Sequence, residues 1–254
     1  MNNVLAELEK IGIVPVIALD NAADAAPLAK ALCDGGLSCA EVTFRTAAAE
    51  EAIKIMTTEF PDMLVGAGTV LTTEQVDRAV KAGARFIVSP GFNPRIVKYC
   101  VEKNITVIPG CSSPSDIEQA IELGLDTVKF FPAEASGGLA KIKAIAAPYV
   151  NMKFMPTGGI NEKNLTSYLD FSKVIACGGS WMIDKDAIKA GDFSRITALA
   201  REAVSTMLGF ELAHIGINCD SEAEADSAAD TFQSLFGFAK KVGSSSIFAG
   251  SVLN

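Results

Sequence analysis

From Ile13 to about Met207 the chain alternates short apolar runs with amphipathic stretches, and the alternation occurs eight times. The runs are VPVIAL (14–19), CAEVTF (39–44), MLVGAG (63–68), RFIVSP (85–90), ITVIPG (105–110), DTVKFF (126–131), MKFMPT (152–157) and KVIACG (173–178). A Gly, Pro, Ser or Thr breaker follows each. Then comes a segment with apolar residues at helical spacing, as in AADAAPLAKALCDGG, TTEQVDRAVKAGA, SPSDIEQAIELG and NEKNLTSYLD, with Ser, Thr or Asn near the start as caps. Strands rich in Val, Ile and Phe that each precede a helix pair in parallel through right-handed crossovers. Eight such units in roughly 195 residues, about 24 per unit, predict an α/β chain folded as a (β/α)8 (TIM) barrel. The rival, a doubly wound open sheet, would usually have fewer strands. A dinucleotide-binding version would also carry G-x-G-x-x-G after an early strand, and Gly66-Ala67-Gly68-Thr69-Val70-Leu71 lacks the third glycine.

The alternation stops near residue 208, so residues 1–210 are read as the barrel domain and 211–254 as a C-terminal appendage. The appendage reads as strand, acidic helix (around DSEAEAD), then a second strand near SSSIFAG, a short β-α-β unit. About 44 residues can hardly bury a core of their own, which predicts a surface or interface element. Pairing of its edge with another subunit is one use for it.

Composition narrows the function. The chain has 254 residues, 22 Lys+Arg against 30 Asp+Glu, a net charge of −8 and one histidine, His214. No basic face is available to follow a nucleic-acid backbone, so nucleic acid is not an expected partner. No apolar run approaches the 18 or so residues of a membrane span, the longest candidate (11–19) being broken by Gly12 and Pro15. The acidic, amphipathic start MNNVLAELEK lacks the basic-then-apolar order of a signal peptide. Six scattered cysteines without a C-x-x-C pair read as reduced thiols. A cytoplasmic protein is therefore expected. One histidine leaves little for a His-based metal site or a Ser-His-Asp triad, so no metal is expected.

In a barrel, catalytic groups sit at the C-terminal ends of strands on inward-pointing positions. In the second run Glu41, Thr43 and Arg45 share a face, and in the sixth Thr127, Lys129 and Phe131 do. Runs two and six lie opposite each other in a ring of eight, which would bring Glu41 and Lys129 into one cavity. Apolar neighbours Val128, Phe130 and Phe131 would favour an uncharged Lys129 amine, a nucleophile that attacks carbonyls to form a Schiff base. Glu41 is the available carboxylate for the accompanying proton transfers. A buried Glu–Lys ion pair that only holds the barrel together remains the alternative reading of the same two residues.

Two glycine-rich loops read as a phosphate cradle. Thr157-Gly158-Gly159-Ile160 follows the seventh run and leads into a helix whose start is marked by Asn161, while Gly178-Gly179-Ser180 follows the eighth. Loops after strands 7 and 8 are the usual phosphate site of this fold, with backbone amides and a helix N-terminus facing the anion. Thr69 is read as inward-pointing beside Val65 and Ala67, and able to hydrogen-bond a carboxylate or hydroxyl, or else as a helix cap. Pro90 stiffens the exit of the fourth run, and Lys153 falls low in the barrel or at its bottom rim.

EVTFRT (41–46), GAGTV (66–70), SPGFNP (89–94), VKFFPAE (128–134), PTGGI (156–160) and GGSW (178–181), in this order, resemble the 2-dehydro-3-deoxy-phosphogluconate / 4-hydroxy-2-oxoglutarate aldolases over residues 4–208. That resemblance implies a class I pyruvate-dependent lyase on a (β/α)8 barrel, acting on a small 2-keto acid or its phosphorylated sugar form, without a cofactor and commonly as a trimer. It implies Lys129 as the Schiff-base lysine and Glu41 as general acid/base. It assigns the pyruvyl carboxylate to Arg45 and Thr69, pocket walls to Phe131 and Pro90, a substrate hydroxyl to Thr157, and the phosphate to Gly158, Gly159, Gly179 and Ser180. The tail resembles the opening half of a glyoxalase-type module, in which the histidine of an HIGI strand is a metal ligand; the remaining strands and ligands do not follow, so no single-chain metal site is expected at His214. Two other functions fit the residues alone: a phosphosugar isomerase or epimerase with Glu41 as base, and a non-catalytic barrel used for binding or assembly.

Overall fold

The computed structural model describes residues 3–209, 219–236, 239–242 and 247–250. The chain divides into two compact units, Met1–Gly209 and Phe210–Asn254.

The first unit is built on eight parallel strands: β1 (Ile13–Ile17), β2 (Cys39–Thr43), β3 (Leu64–Gly68), β4 (Phe86–Val88), β5 (Thr106–Ile108, resuming after Pro109 as Gly110–Cys111), β6 (Thr127–Phe130), β7 (Lys153–Pro156) and β8 (Cys177–Gly179). Pairing runs in chain order from β1 to β5. It continues through Gly110↔Lys129 from β5 to β6 and Lys129↔Met155 from β6 to β7. Bridges Phe154↔Val174 and Thr157↔Gly178 carry it to β8, and Val14↔Gly178 joins β8 to β1. The parallel sheet therefore curls until its ends meet. The eighth apolar run is the least regular: only Cys177–Gly179 is extended in register, and Val174 contributes a single bridge.

Helices cover the outside: α2 (Ala25–Asp34), α3 (Ala49–Glu59), α4 (Thr73–Lys81), α5 (Pro94–Glu102), α6 (Pro114–Glu122), α7 (Gly138–Ala146), α8 (Leu165–Leu169), α9 (Lys185–Ala190) and α10 (Phe193–Leu208), after an N-terminal α1 (Asn3–Ile11). Their starts obey local chemistry. Ser113 and Asp116 form a reciprocal capping box with Pro114 in the first turn of α6, while Thr72, Asn93 and Asp184 cap α4, α5 and α9. The helix expected to begin at Asn161 begins at Leu165. Asn161 Oδ1 accepts from the Lys163 amide and Asn164 Oδ1 from the Asn161 amide, which makes 161–164 a turn before a helix of only five residues.

Alternation along the strands separates two cores. Outward residues such as Ile13, Ile17, Ala40, Val42, Val65, Ala67, Val128 and Phe130 pack under the helices. Inward residues Val14, Cys39, Leu64, Phe86, Val88, Ile108 and Met155 form a second cluster with Val4, Leu5 and Leu8 of α1. Helix α1 thus closes the N-terminal end of the ring. Leu8 is fully buried there, contributing roughly 2 kcal/mol. Arg85 makes a two-pronged ion pair with Glu7 at 2.7 Å, and Lys153 Nζ reaches Glu9 at 2.8 Å. Lys153 is accordingly at the bottom rim, away from the opposite end where chemistry is expected.

In the second unit α11 (Glu222–Phe236) packs on an antiparallel hairpin, β9 (Ala239–Val242) with β10 (Ile247–Gly250). Lys240 binds Asp226 and Asp230 of α11 at 2.6 and 2.7 Å. The helix expected around DSEAEAD is present, and the strand at AKKV is additional to the expected elements. The expected strand at FELAHIGIN, with His214, lies outside the described residues.

Candidate active site

The C-terminal strand ends form a mouth opposite α1, and the two residues singled out on opposite strands meet there. Lys129 Nζ donates to Glu41 Oε1 at 3.1 Å and to Oε2 at 3.4 Å, with side chains 7% and 1% exposed. Val128 and Phe130, its neighbours in the chain, point away into the outer core. The amine faces the Glu41 carboxylate and the Phe131 ring, whose centre is 5.4 Å from Nζ. In a water-poor interior the two charges compensate each other, since either alone would be strongly destabilising. Space for the carboxylate comes from β3: a Cβ on Gly68 would lie 2.2 Å from Glu41 Oε1.

Arg45 lies beyond the end of β2, in the turn that follows. Its Nε donates to Thr43 Oγ1 at 3.1 Å, while the Thr43 hydroxyl donates to the Ile17 carbonyl at 2.8 Å. Thr43 is buried and orients the guanidinium, whose outer nitrogens donate to no described residue and can take an anion. This role was not read from the sequence, where Thr43 appears only as the residue between Glu41 and Arg45 on one face.

Thr69 departs from expectation. The inward face of β3 carries Leu64, Gly66 and Gly68, because Leu64 belongs to the inner cluster and Cβ atoms on the two glycines would strike Phe86 and Glu41. Val65 and Ala67, whose face the sequence pattern assigns to Thr69, pack against the helices. Thr69 follows the strand at φ +55°, so strand alternation does not extend to it. Pro90 follows β4, and its carbonyl lies 2.1 Å from where a Gly110 Cβ would be, tying the exits of β4 and β5.

The glycine loops lie at the exits of β7 and β8. Thr157 Oγ1 is the one buried side-chain nitrogen or oxygen without a hydrogen-bond partner among the described residues. Leaving such a group unpaired costs about 1–3 kcal/mol, a cost that a bound hydroxyl or carboxylate removes. Gly178 makes room for it, since a Cβ there would be 2.3 Å from Thr157 Oγ1. In the next turn three successive carbonyls are engaged: Thr157 by the Ala133 amide, Gly158 by the Glu134 amide, and Gly159 by the side chains of Asn161 and Asn164. The amides of Gly158 and Gly159 donate to no described residue. Left-handed φ values of +99° and +84° at these two positions favour glycine. The helix contribution to the cradle is not seen, because α8 is short and starts late. Ser180 is exposed after β8, and Gly179 lies beneath the Trp181 ring. Phe131 connects the two ends of the mouth: its ring faces Lys129 Nζ and is 3.5 Å from where a Cβ on Gly158 would be. Among the described residues no three His, Cys, Asp or Glu side chains gather as a metal site.

A family model described as "Aldolase: KDPG and KHG aldolase" matches residues 4–199. The chain belongs to the KDPG and KHG aldolase family. A 2-dehydro-3-deoxy-phosphogluconate aldolase from Treponema pallidum is 50% identical over 204 residues, spanning 80% of this chain and 97% of the relative. A KHG/KDPG aldolase from Escherichia coli is 46% identical over 192 residues, 76% of this chain and 90% of the relative. Among solved structures, the KDPG aldolase of Legionella pneumophila, with pyruvate captured as a covalent carbinolamine intermediate, superposes with a TM-score of 0.77 at 40% identity, covering 80% of this chain and 98% of that one. The family match ends at residue 199, before the second unit begins.

Proposed function

We propose that the chain is a class I, Schiff-base aldolase that cleaves 2-dehydro-3-deoxy-6-phosphogluconate to pyruvate and glyceraldehyde 3-phosphate, and 4-hydroxy-2-oxoglutarate to pyruvate and glyoxylate. The observation that carries the reading is the 3.1 Å contact between Lys129 Nζ and Glu41 at the mouth of a ring whose family members are aldolases. A purely structural ion pair would not call for the unpaired Thr157 hydroxyl or for the glycine at 178 that makes room for it.

The steps follow from the placement of the groups. Glu41 takes a proton from Lys129, and the free amine attacks the C2 carbonyl of the keto acid. The carbonyl oxygen receives that proton back from Glu41 to give a carbinolamine; Glu41 then moves a second proton from the nitrogen to the same oxygen, which leaves as water, so the nitrogen becomes an iminium. Removal of the C4 hydroxyl proton by Glu41 lets the C3–C4 electron pair flow into the iminium, releasing the aldehyde and leaving an enamine. Protonation at C3 and addition of water to C2 then free pyruvate and Lys129. The iminium accepts the electron pair, so this sequence draws on no cofactor.

Arg45, held by Thr43, and Thr69 are assigned to the pyruvyl carboxylate. Thr157 is assigned to a substrate hydroxyl, and Phe131 and Pro90 to the pocket walls. The amides of Gly158 and Gly159, with Gly179 and Ser180, are assigned to the phosphate. On the family resemblance, residues 1–210 are read as a (β/α)8 barrel working as a homotrimer in the cytoplasm, in the Entner–Doudoroff pathway. Residues 211–254 are read as an appendage resembling half of a glyoxalase-type module. No described helix is long and apolar enough to cross a membrane, and the partners on this reading are small keto acids and further copies of the chain.

Borohydride reduction in the presence of pyruvate tests the mechanism. A reduced pyruvate adduct should appear on the peptide containing Lys129. Label on another residue, or active enzyme without label, would overturn it. Lys129→Arg should lose essentially all activity, whereas an isomerase using Lys129 only as a charge would retain a measurable rate.

A further inference from the structure

Beyond the ends of β6 and β7 the two chains stay zipped together. Thr157 N donates to Phe130 O at 2.9 Å, Ala133 N to Thr157 O at 2.8 Å and Glu134 N to Gly158 O at 3.0 Å. The backbone that carries Lys129 therefore runs alongside the Gly158-Gly159 loop and ends at Glu134. The Glu134 side chain then lies across the loop: a Cβ on Gly159 would be 2.6 Å from both its Cβ and its Cγ. Its carboxylate accepts a hydrogen bond from the hydroxyl of Tyr168, on the short helix α8 that follows the loop. Tyr168 is 2% exposed, and Gly138 packs against both partners, its would-be Cβ 3.0 Å from Glu134 Oε1 and 3.2 Å from the Tyr168 hydroxyl. Burial, with the Glu134 carboxylate adding to it, pushes the Tyr168 hydroxyl far up, so it remains a donor throughout the working pH range.

The loop is thus clamped from both sides, by Glu134 and Tyr168 over Gly159 and by Asn161 and Asn164 on the Gly159 carbonyl, each near 3 Å. We propose that Glu134 and Tyr168 are positioning residues that set the Gly158 and Gly159 amides at a fixed distance from Lys129, and so determine preference for a keto acid carrying a terminal phosphate over a shorter one without it. Among the described residues neither side chain is hydrogen-bonded to Lys129, Glu41 or Arg45, the groups assigned to the half that both substrates share. The inference rests on the reading of this loop as the phosphate cradle.

Charge alone predicts the opposite of positioning. Removing a carboxylate next to a phosphate site should improve binding of the dianion. If Glu134 acts by holding the loop, removing it should weaken use of the phosphorylated substrate in spite of the charge gained. Glu134→Ala and Tyr168→Phe should each lower kcat/KM for 2-dehydro-3-deoxy-6-phosphogluconate about tenfold, the effect of losing a hydrogen bond to a charged group. Turnover of 4-hydroxy-2-oxoglutarate and the rate of borohydride trapping of pyruvate on Lys129 should stay at wild-type values. Glu134→Gln keeps an oxygen for Tyr168 and should restore the phosphorylated substrate.

Inhibition of the wild-type enzyme by inorganic phosphate separates the two levels of the reading. If phosphate does not compete with the phosphorylated substrate, the cradle assignment falls and this inference with it. If phosphate competes but the two variants leave both substrates unchanged, or lower both alike, the cradle stands and the positioning role is wrong. A gain on the phosphorylated substrate in Glu134→Ala would also overturn it.

Discussion

Lys129 and Glu41 are 88 residues apart in the chain and 3.1 Å apart in space, and their contact crosses the ring from β6 to β2. Neither strand could bring them together alone. The pair forms because closure of the sheet places strands two and six face to face at the same height, and because Gly68 on β3 leaves the volume that Glu41 fills.

Glu41→Gln should separate nucleophile from proton carrier. The amide keeps the shape and still accepts from Lys129, but it cannot relay a proton, so kcat for aldol cleavage should fall roughly 100- to 10,000-fold. Stopped-flow turnover with circular dichroism as a control for folding measures this. A loss of less than about tenfold would remove Glu41 from the proton path.

Thr43→Val should act on Arg45. Valine matches threonine in shape but cannot accept from Arg45 Nε or donate to the Ile17 carbonyl. A carboxylate anchor released in this way should raise KM about tenfold with kcat little changed, and equally for the phosphorylated and the shorter keto acid. Unequal effects on the two substrates would show that Arg45 reads something other than the half they share.

Gly68→Ala tests the space reserved for Glu41. Its methyl would sit 2.2 Å from Oε1, so the carboxylate must move away from Lys129 or β3 must shift. Activity should fall on the scale of Glu41→Gln, with a stability loss of about 1–3 kcal/mol by chemical denaturation. Wild-type activity in Gly68→Ala would show that β3 yields to the methyl and that Gly68 is not what holds Glu41 on Lys129.

Burial pushes the thiols of Cys100, Cys111 and Cys177 up from 9.0 to about 11, 12 and 12. Below pH 9 folded and unfolded chains both hold these protons, and the thiols leave stability independent of pH. Above it the unfolded chain binds fewer protons than the native one, so stability falls as pH rises from 9 towards 12, at up to ~1.4 kcal/mol per pH unit for each thiol. Denaturation midpoints between pH 8 and 10.5 should show that fall, and Cys177→Ala should reduce its slope. An unchanged slope in the variant would assign the alkaline loss to other groups.

Truncation after Gly209 separates the two units. Helix α10 ends there, with Gly209 at φ +59° as its cap, and the Treponema pallidum relative is 97% covered by 204 aligned residues. The shortened chain should cleave both keto acids at the rate of the full one. A folded but inactive truncation would give residues 210–254 a part in catalysis.

Each strand-and-helix unit carries its own signature, an apolar run and then apolar residues at helical spacing, so the eight units, their order and the caps at Thr72 and Ser113 are legible without any contact between them. Lys129 was legible for the same reason: a lysine inside TVKFF has no place in a strand unless something faces it. The parity of Thr69 was not, because Leu64–Gly68 is buried on both faces and shows no alternation to read. The late start of α8 is not legible because Asn161 is a good cap by type, whereas the fold of the Gly159 loop turns both Asn161 and Asn164 side chains back onto it and leaves Asn164 at the helix start without a side-chain cap bond.

The sequence by itself determined the number and kind of elements, the motifs at their ends, and the chemistry that a lysine and a carboxylate offer to a carbonyl, because these depend on neighbours a few residues away. Tertiary structure decided which groups meet. It put Glu41 on Lys129, Thr43 under Arg45 and Tyr168 on Glu134, and it left Thr157 unpaired, because those relations depend on ring closure and on register between strands far apart in the chain.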